Sequence, residues 1–250
     1  MPAPAPVALN EPMHLRYVND VAPAQWIFDR LHGFAQDAGS IIPSGFESYA
    51  RLFHPAARLD RDTERAVTWR EIAEANGRIV HPEMQFAHIA GVWRRPSPLP
   101  HLWTDEPRDG SLPTELGRAL SDVLAAHTST PDRCWFAVWE GWGGLEVPAG
   151  APKVGMPQRR YYLATGPLST AHESVFHRFH QSASLWWPDD RAWCVTTEVD
   201  FSWTYVGGTQ ECIASILAHP GIEALPAQLS DDGTSTGDRI NPAPPQPPWA

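Results

Sequence analysis

Apolar positions follow a helical spacing through much of the first half of the chain and alternate more often in the second. Ile27, Leu31, Phe34 and Ala38 stand at i, i+4, i+7 and i+11 and predict a helix closed by Gly39. Ser44 and Glu47 have the spacing of a capping box ahead of Phe46, Tyr49, Ala50 and Phe53, and Pro55 stops that run. Tyr49, Arg51 and Phe53 also alternate, so an extended segment fits the same residues. A second box, Thr68 with Glu71, opens a helix that turns Trp69, Ile72 and Ala73 inward and stops at Gly77. The strongest helical stripe is Leu116, Leu120, Val123, Leu124 and His127, within 113–127 and with Pro113 at its start. Thr170 and Glu173 predict a short helix near 170–180.

Strands follow. CWFAVWEG (134–141) and RYYLATG (160–166) are aromatic-rich runs bounded by Gly and Pro, with 142–158 as a loop between them. Trp193, Val195, Val199 and Phe201 share one face of an extended stretch over 193–201. Gly207-Gly208 reads as a turn. After it, Thr209 caps a helix whose stripe is Cys212, Ile213, Ile216 and Leu217, ended by Pro220. Helices first and strands after, without βαβ alternation, predict the α+β class: one domain, its largely antiparallel sheet packed against several helices. Residues 1–12 and 228–250 read as disordered tails, the second Pro-rich, around a domain of 13–227.

Composition narrows the function classes. A net charge of −10, spread without a basic run, argues against nucleic-acid binding, which needs clustered Lys and Arg. No apolar run approaches a membrane span, and the N-terminus lacks a signal peptide's basic and apolar regions, so a cytoplasmic protein is expected. Cys134, Cys194 and Cys212 form no CxxC and read as buried thiols. No cofactor is expected.

Candidate chemistry gathers between 185 and 200. Trp186, Trp187, Asp189, Asp190, Arg191, Glu198 and Asp200 combine two adjacent indoles with a compact acidic group. Adjacent residues in extended chain point to opposite sides, so one indole is expected to stay partly exposed beside the carboxylates. Glu198 and Asp200 emerge from one face of a strand. With Asp189 or Asp190 they suit a hard cation, or a carboxylate pair for hydrolysis; the Asp pair equally suits a turn that caps its own backbone. His172, His177 and His180 cluster without an evident metal shell, and Gly207-Gly208 before a helix could face an anion.

The segments WWPDDRAWCVTTEVDFSWTYVGG and CWFAVWEGWG resemble a family of uncharacterised proteins of high-GC Gram-positive bacteria, a likeness that implies no activity. IPSGFESYARLFHP is similar to the first helix of the SUKH immunity and scaffold proteins. Together these observations lead us to expect a non-enzymatic binding protein that engages a protein partner as an immunity-like or regulatory factor. Surplus aromatics suit hot spots and the acidic surface suits a basic partner; a small ligand or sugar would suit the same aromatic wall. The alternative is a carboxylate-dependent hydrolase, with or without a metal.

Overall fold

A computed structural model describes residues 15–33, 37–60, 63–93, 96–176 and 179–245. In chain order the elements are β1 (Arg16–Tyr17), α1 (Gln25–Phe28), β2 (Ser48–Phe53), β3 (Ala56–Asp60), β4 (Thr63–Val67), α2 (Trp69–Ala75), α3 (Phe86–Ala90) and α4 (Thr114–Ala125). The second half adds β5 (Cys134–Trp139), β6 (Lys153–Met156), β7 (Arg159–Gly166), β8 (Leu185–Pro188), β9 (Cys194–Thr196), β10 (Trp203–Gly208), α5 (Gln210–Ala218) and β11 (Ala224–Ala227). Nine strands form one sheet in the order β1-β7-β5-β8-β9-β10-β2-β11, with β6 also on β7. Every pairing is antiparallel, and β3 and β4 make a separate hairpin. The chain is an α+β protein with one compact domain.

Strand alternation divides the core in three. On one face Leu52, Phe136, Trp186, Val195 and Val206 meet Leu116, Leu120 and Leu124 of α4 and Ile213 and Ile216 of α5. The other face carries two separate covers. Over β10, β2 and β11, residues Phe53, Trp203 and Tyr205 pack with Trp69 and Ile72 of α2 and with Trp103. Over β5, β7 and β8, residues Ala137, Leu163, Leu185 and Trp187 pack with Trp26 and Ile27 of α1. A seam is left between these two covers, over β9.

Several elements match their sequence signals. Thr68 Oγ1 accepts from Glu71 N at 3.1 Å while the Glu71 carboxylate accepts from Thr68 N at 2.7 Å, as a capping box requires. Thr209 Oγ1 accepts from Cys212 N at 3.1 Å and starts α5. Trp193 is buried, its ring edge-on to Trp186 at 5.4 Å and its indole N–H donating to the Leu124 carbonyl.

Others differ, each for a local reason. The helix expected over 27–38 stops at Phe28, because Asp37 and Ser40 cap a separate 3-10 turn at Ala38–Ser40; Phe34 lies outside the described residues. The segment expected as either helix or strand at 44–53 takes the extended form, as β2 from Ser48 to Phe53. The 142–158 loop contains β6. Only a 3-10 turn, Leu168–Thr170, stands where a helix near 170–180 was expected. Gly207-Gly208 is no turn but lies inside β10, opposite Tyr49 and Ser48. A Cβ on Gly207 would come within 2.5 Å of the Phe46 ring, so glycine lets that ring lie against the strand.

The segment expected as a tail from 228 is buried in part over its described residues, 228–245. Asp238 and Asn241 are 4% and 5% exposed. The Asp238 carboxylate accepts from the backbone N–H groups of Gln85, Ile240 and Asn241, and Asn241 exchanges hydrogen bonds with the Ile79 backbone. Polar side chains with fixed partners hold this stretch where apolar periodicity is missing. The 1–12 and 246–250 ends lie outside the described residues. No described helix is long and apolar enough to cross a membrane.

Candidate functional site

The seven residues singled out in the sequence do not form one site. Trp186 and Trp187 are 0% and 1% exposed, so the expected exposed indole is absent. They do point to opposite sides, as extended chain requires, but this sheet is covered on both faces. Trp186 enters the α4–α5 core, and Trp187 packs edge-on to Trp26 at 6.3 Å.

At the β8–β9 turn the two aspartates are structural. Asp189 accepts from the Arg133 guanidinium and from Trp135 Nε1 at 2.9 Å. Asp190 accepts from Ser129 N and Oγ, both at 2.7 Å, from Thr128 Oγ1 and from Ala192 N. Burial would raise its carboxyl, but these bonds outweigh it and hold Asp190 below the usual carboxylate range. Arg191 adopts φ 57° to close the turn and lies over the Trp26 ring at 5.4 Å.

The strand expected over 193–201 is shorter, with β9 ending at Thr196. Glu198 and Asp200 therefore stand past its other end, in a turn closed by Phe201 N donating to the Glu198 carbonyl, and not on one strand face. Leu185 faces Thr196 and Trp186 faces Val195 in the hairpin register, so the two acidic pairs lie at opposite ends of it. About three strand residues and the flanking turns separate them, on the order of 15 Å. Four carboxylates therefore do not converge. Among the described residues no group of three or more His, Cys, Asp or Glu side chains is placed to hold a metal ion. His180 donates from Nε2 to the Leu112 carbonyl and bonds the Thr114 hydroxyl through Nδ1, and His177 lies outside the described residues.

Glu198 and Asp200 instead form one wall of a cavity of about 280 Å³ in the seam. Arg159, at the start of β7, donates Nε to Glu198 at 2.8 Å and Nη2 to Asp200 at 2.6 Å. Burial alone would lower Arg159, yet the two carboxylates raise it, so the guanidinium stays charged. Phe28 and Leu31 come from α1 and the turn after it, Ile41 from the segment before β2, and Leu185 and Phe201 from the strand ends. The Tyr161 ring stacks on Phe28 at 6.0 Å, and burial pushes its hydroxyl well above the usual tyrosine range.

The floor is where the cavity departs from an ordinary packing gap. Ser184 and Thr196 line it, are 1% and 2% exposed, and neither hydroxyl has a hydrogen-bond partner among the described residues. Thr196 stands on the seam face of β9 together with Cys194. Its neighbour Thr197 bonds Thr204 Oγ1 at 2.7 Å, and Thr204 bonds the buried His54. Burial pushes that imidazole down to about 4, so it is neutral and knits strands together rather than titrating near pH 7. Of the two adjacent threonines, Thr196 is the one whose hydroxyl has no hydrogen-bond partner among the described residues. A larger groove of about 590 Å³, beside α5 and β11, has no such side chain among its described lining residues.

Sequence reasoning found Glu198 and Asp200 and missed Arg159, Tyr161, Ser184 and Thr196. One signal was available: a threonine in a strand whose other inward positions are Trp, Cys and Val. With this geometry in hand, no family model, no curated protein and no solved structure matches the chain.

Proposed function

We propose that the chain is a binding protein for a small molecule and that the seam cavity is its site. One observation carries this reading: two hydroxyls, almost wholly buried and without a hydrogen-bond partner among the described residues, at the floor of the cavity. Leaving a buried polar group unpaired costs about 1–3 kcal/mol, and a ligand that pairs both would offset that cost on binding. The walls follow the usual design of such sites, mostly apolar with a few convergent polar groups.

The protein partner expected from the sequence rested on an acidic surface for a basic partner and on surplus aromatics as hot spots, with one indole exposed beside the Asp189–Asp190 turn as the place for it. With both indoles buried, the cavity has the stronger support. The hydrolase alternative has less. Glu198 and Asp200 are both engaged by Arg159, and the other two aspartates are at the far end of the hairpin. The thiols make poor nucleophiles, because burial pushes Cys134 and Cys212 up to about 12 and Cys194 higher still.

A fragment screen by amide NMR tests the reading. Binders are expected to shift the amides of Tyr161, Ser184 and Thr196 and to raise Tm, since they stabilise only the folded state. Shifts confined to Asp189–Arg191, or none at all, would refute it.

A further inference from the structure

We infer that the ligand of this cavity is a small amine, its ammonium group set against Glu198 and Asp200 and its other end carrying a hydroxyl to Ser184 and Thr196. This rests on the binding reading above and adds the chemical class.

The polarity of the wall is the first ground. Arg159 is the one Lys or Arg among the described residues that line the cavity, and it faces two carboxylates. A negative surplus remains. Arg159 bonds Glu198 at Oε1 and Asp200 at Oδ2. A carboxylate has two oxygens and room for several donors, so each can take an ammonium beside the guanidinium. An anionic ligand would have to take Arg159 from both carboxylates and then lie beside them.

The surroundings reinforce that sign. Asp109, near Asp200, has its carboxyl raised to about 6, by burial first and then by repulsion from Glu106 and Asp200. The field at this end of the cavity is thus negative before any ligand arrives. A cation placed there exchanges water for fixed carboxylate oxygens, and its affinity falls as salt screens the attraction.

The floor and walls set the rest of the molecule. Thr196 and Ser184 offer both donor and acceptor capacity, which a hydroxyl can match in either direction. Phe28, Leu31, Ile41, Leu185 and Phe201 also line the cavity, which suits a flat apolar body.

Four probes of similar size separate these features on the unmodified protein: tyramine, 4-hydroxyphenylethanol, 4-hydroxyphenylacetate and phenethylamine. Affinities are read by amide NMR titration at pH 7.5 and low salt. Tyramine is expected to bind at least about tenfold more tightly than the neutral alcohol, one unit of charge attraction at a partly screened wall. The acid is expected to bind most weakly, and phenethylamine to fall between tyramine and the alcohol or near the latter. Glu198→Gln should bring tyramine and the alcohol within about threefold of each other, and Thr196→Val should bring tyramine close to phenethylamine. An alcohol or acid that binds as tightly as tyramine overturns the amine inference and leaves the cavity reading standing. Tyramine shifts that avoid Arg159, Tyr161 and Thr196 overturn it as well. If none of the four binds, both readings fall.

Discussion

Replacing Asp238 by alanine should destabilise the whole domain, although the residue lies in a stretch rich in Gly, Ser, Thr and Pro. Its carboxylate accepts from Asn241 N at 2.8 Å, Asn241 Nδ2 at 3.0 Å, Ile240 N at 3.1 Å and Gln85 N at 3.2 Å, and it meets His81 Nε2 at 2.9 Å. Its side chain is 0% exposed. Alanine would leave those donors facing a void, and breaking a buried charged contact of this kind costs about 3–5 kcal/mol. That is a large part of the 5–15 kcal/mol that holds a typical domain folded. Burial pushes the Asp238 carboxyl up, but the Asn241 and Gln85 bonds and the His81 imidazole prevail and lower it below 3.8. A lowered carboxyl contributes stability above its unfolded value and loses it as pH falls through the folded one. The difference between wild type and Asp238→Ala should therefore be full at pH 7 and shrink below about pH 4. Urea unfolding at pH 7 and pH 3 reads both quantities. A midpoint at pH 7 within error of wild type, or a 13–227 fragment melting within a degree or two of the full chain, would refute the role assigned to this stretch.

Two further outcomes test the core and the acidic group around Asp200. Trp193→Ala should cost about 3–5 kcal/mol, whereas Trp193→Phe, which loses mainly the bond to the Leu124 carbonyl, should cost about 1–2 kcal/mol in the same urea assay; equal losses would contradict the packing described. Asp109→Asn should raise stability at pH 7 by about 1–2 kcal/mol, after allowing for partial solvent screening, and leave it unchanged at pH 3.5. A raised carboxyl keeps its proton in the folded state where the unfolded chain has lost it, so wild-type stability falls as pH climbs from about 4 to 6. Thermal melts of the two proteins across that range give the comparison, and parallel curves would dismiss it.

The parts of the fold legible in the sequence are those fixed by near neighbours. The Thr68 box, the Thr209 cap and the stripe of α4 all depend on residues within one or two turns. The misread stretch at 44–53 shows why the rest was not. Ser44 and Glu47 have the spacing of a capping box, but Ser44 Oγ donates to the Arg30 carbonyl and Glu47 accepts from Gln210 N, at the start of α5. Likewise Glu223 accepts from Trp69 N and Arg70 N and so caps α2 from across the molecule. Such caps have no sequence spacing to find. The cavity was half legible for the same reason. Glu198 and Asp200 are close in sequence, but Arg159, Ser184 and Thr196 reach the seam only through strand order.

The place of β2 has a consequence for how the chain comes to be folded. Phe53 pairs with Trp203 and Ala50 with Pro226, so both sheet neighbours of β2 lie about 150 residues or more further along the chain. Closing loops of that length costs entropy before any contact repays it, which makes such pairings slow. At a synthesis rate of roughly 5–20 residues per second, β2 waits on the order of ten seconds with both edges open. Open apolar strands are where chains aggregate. Arg51 stands in the middle of this one, between Ala50 and Leu52, a charge that keeps the waiting strand in water. Once β10 and β11 arrive, the same side chain is covered, its guanidinium 3.9 Å from the Trp203 ring centroid and bonded to the Pro82 carbonyl at 2.6 Å. The buried arginine of the finished sheet is the solubilising residue of the unfinished one.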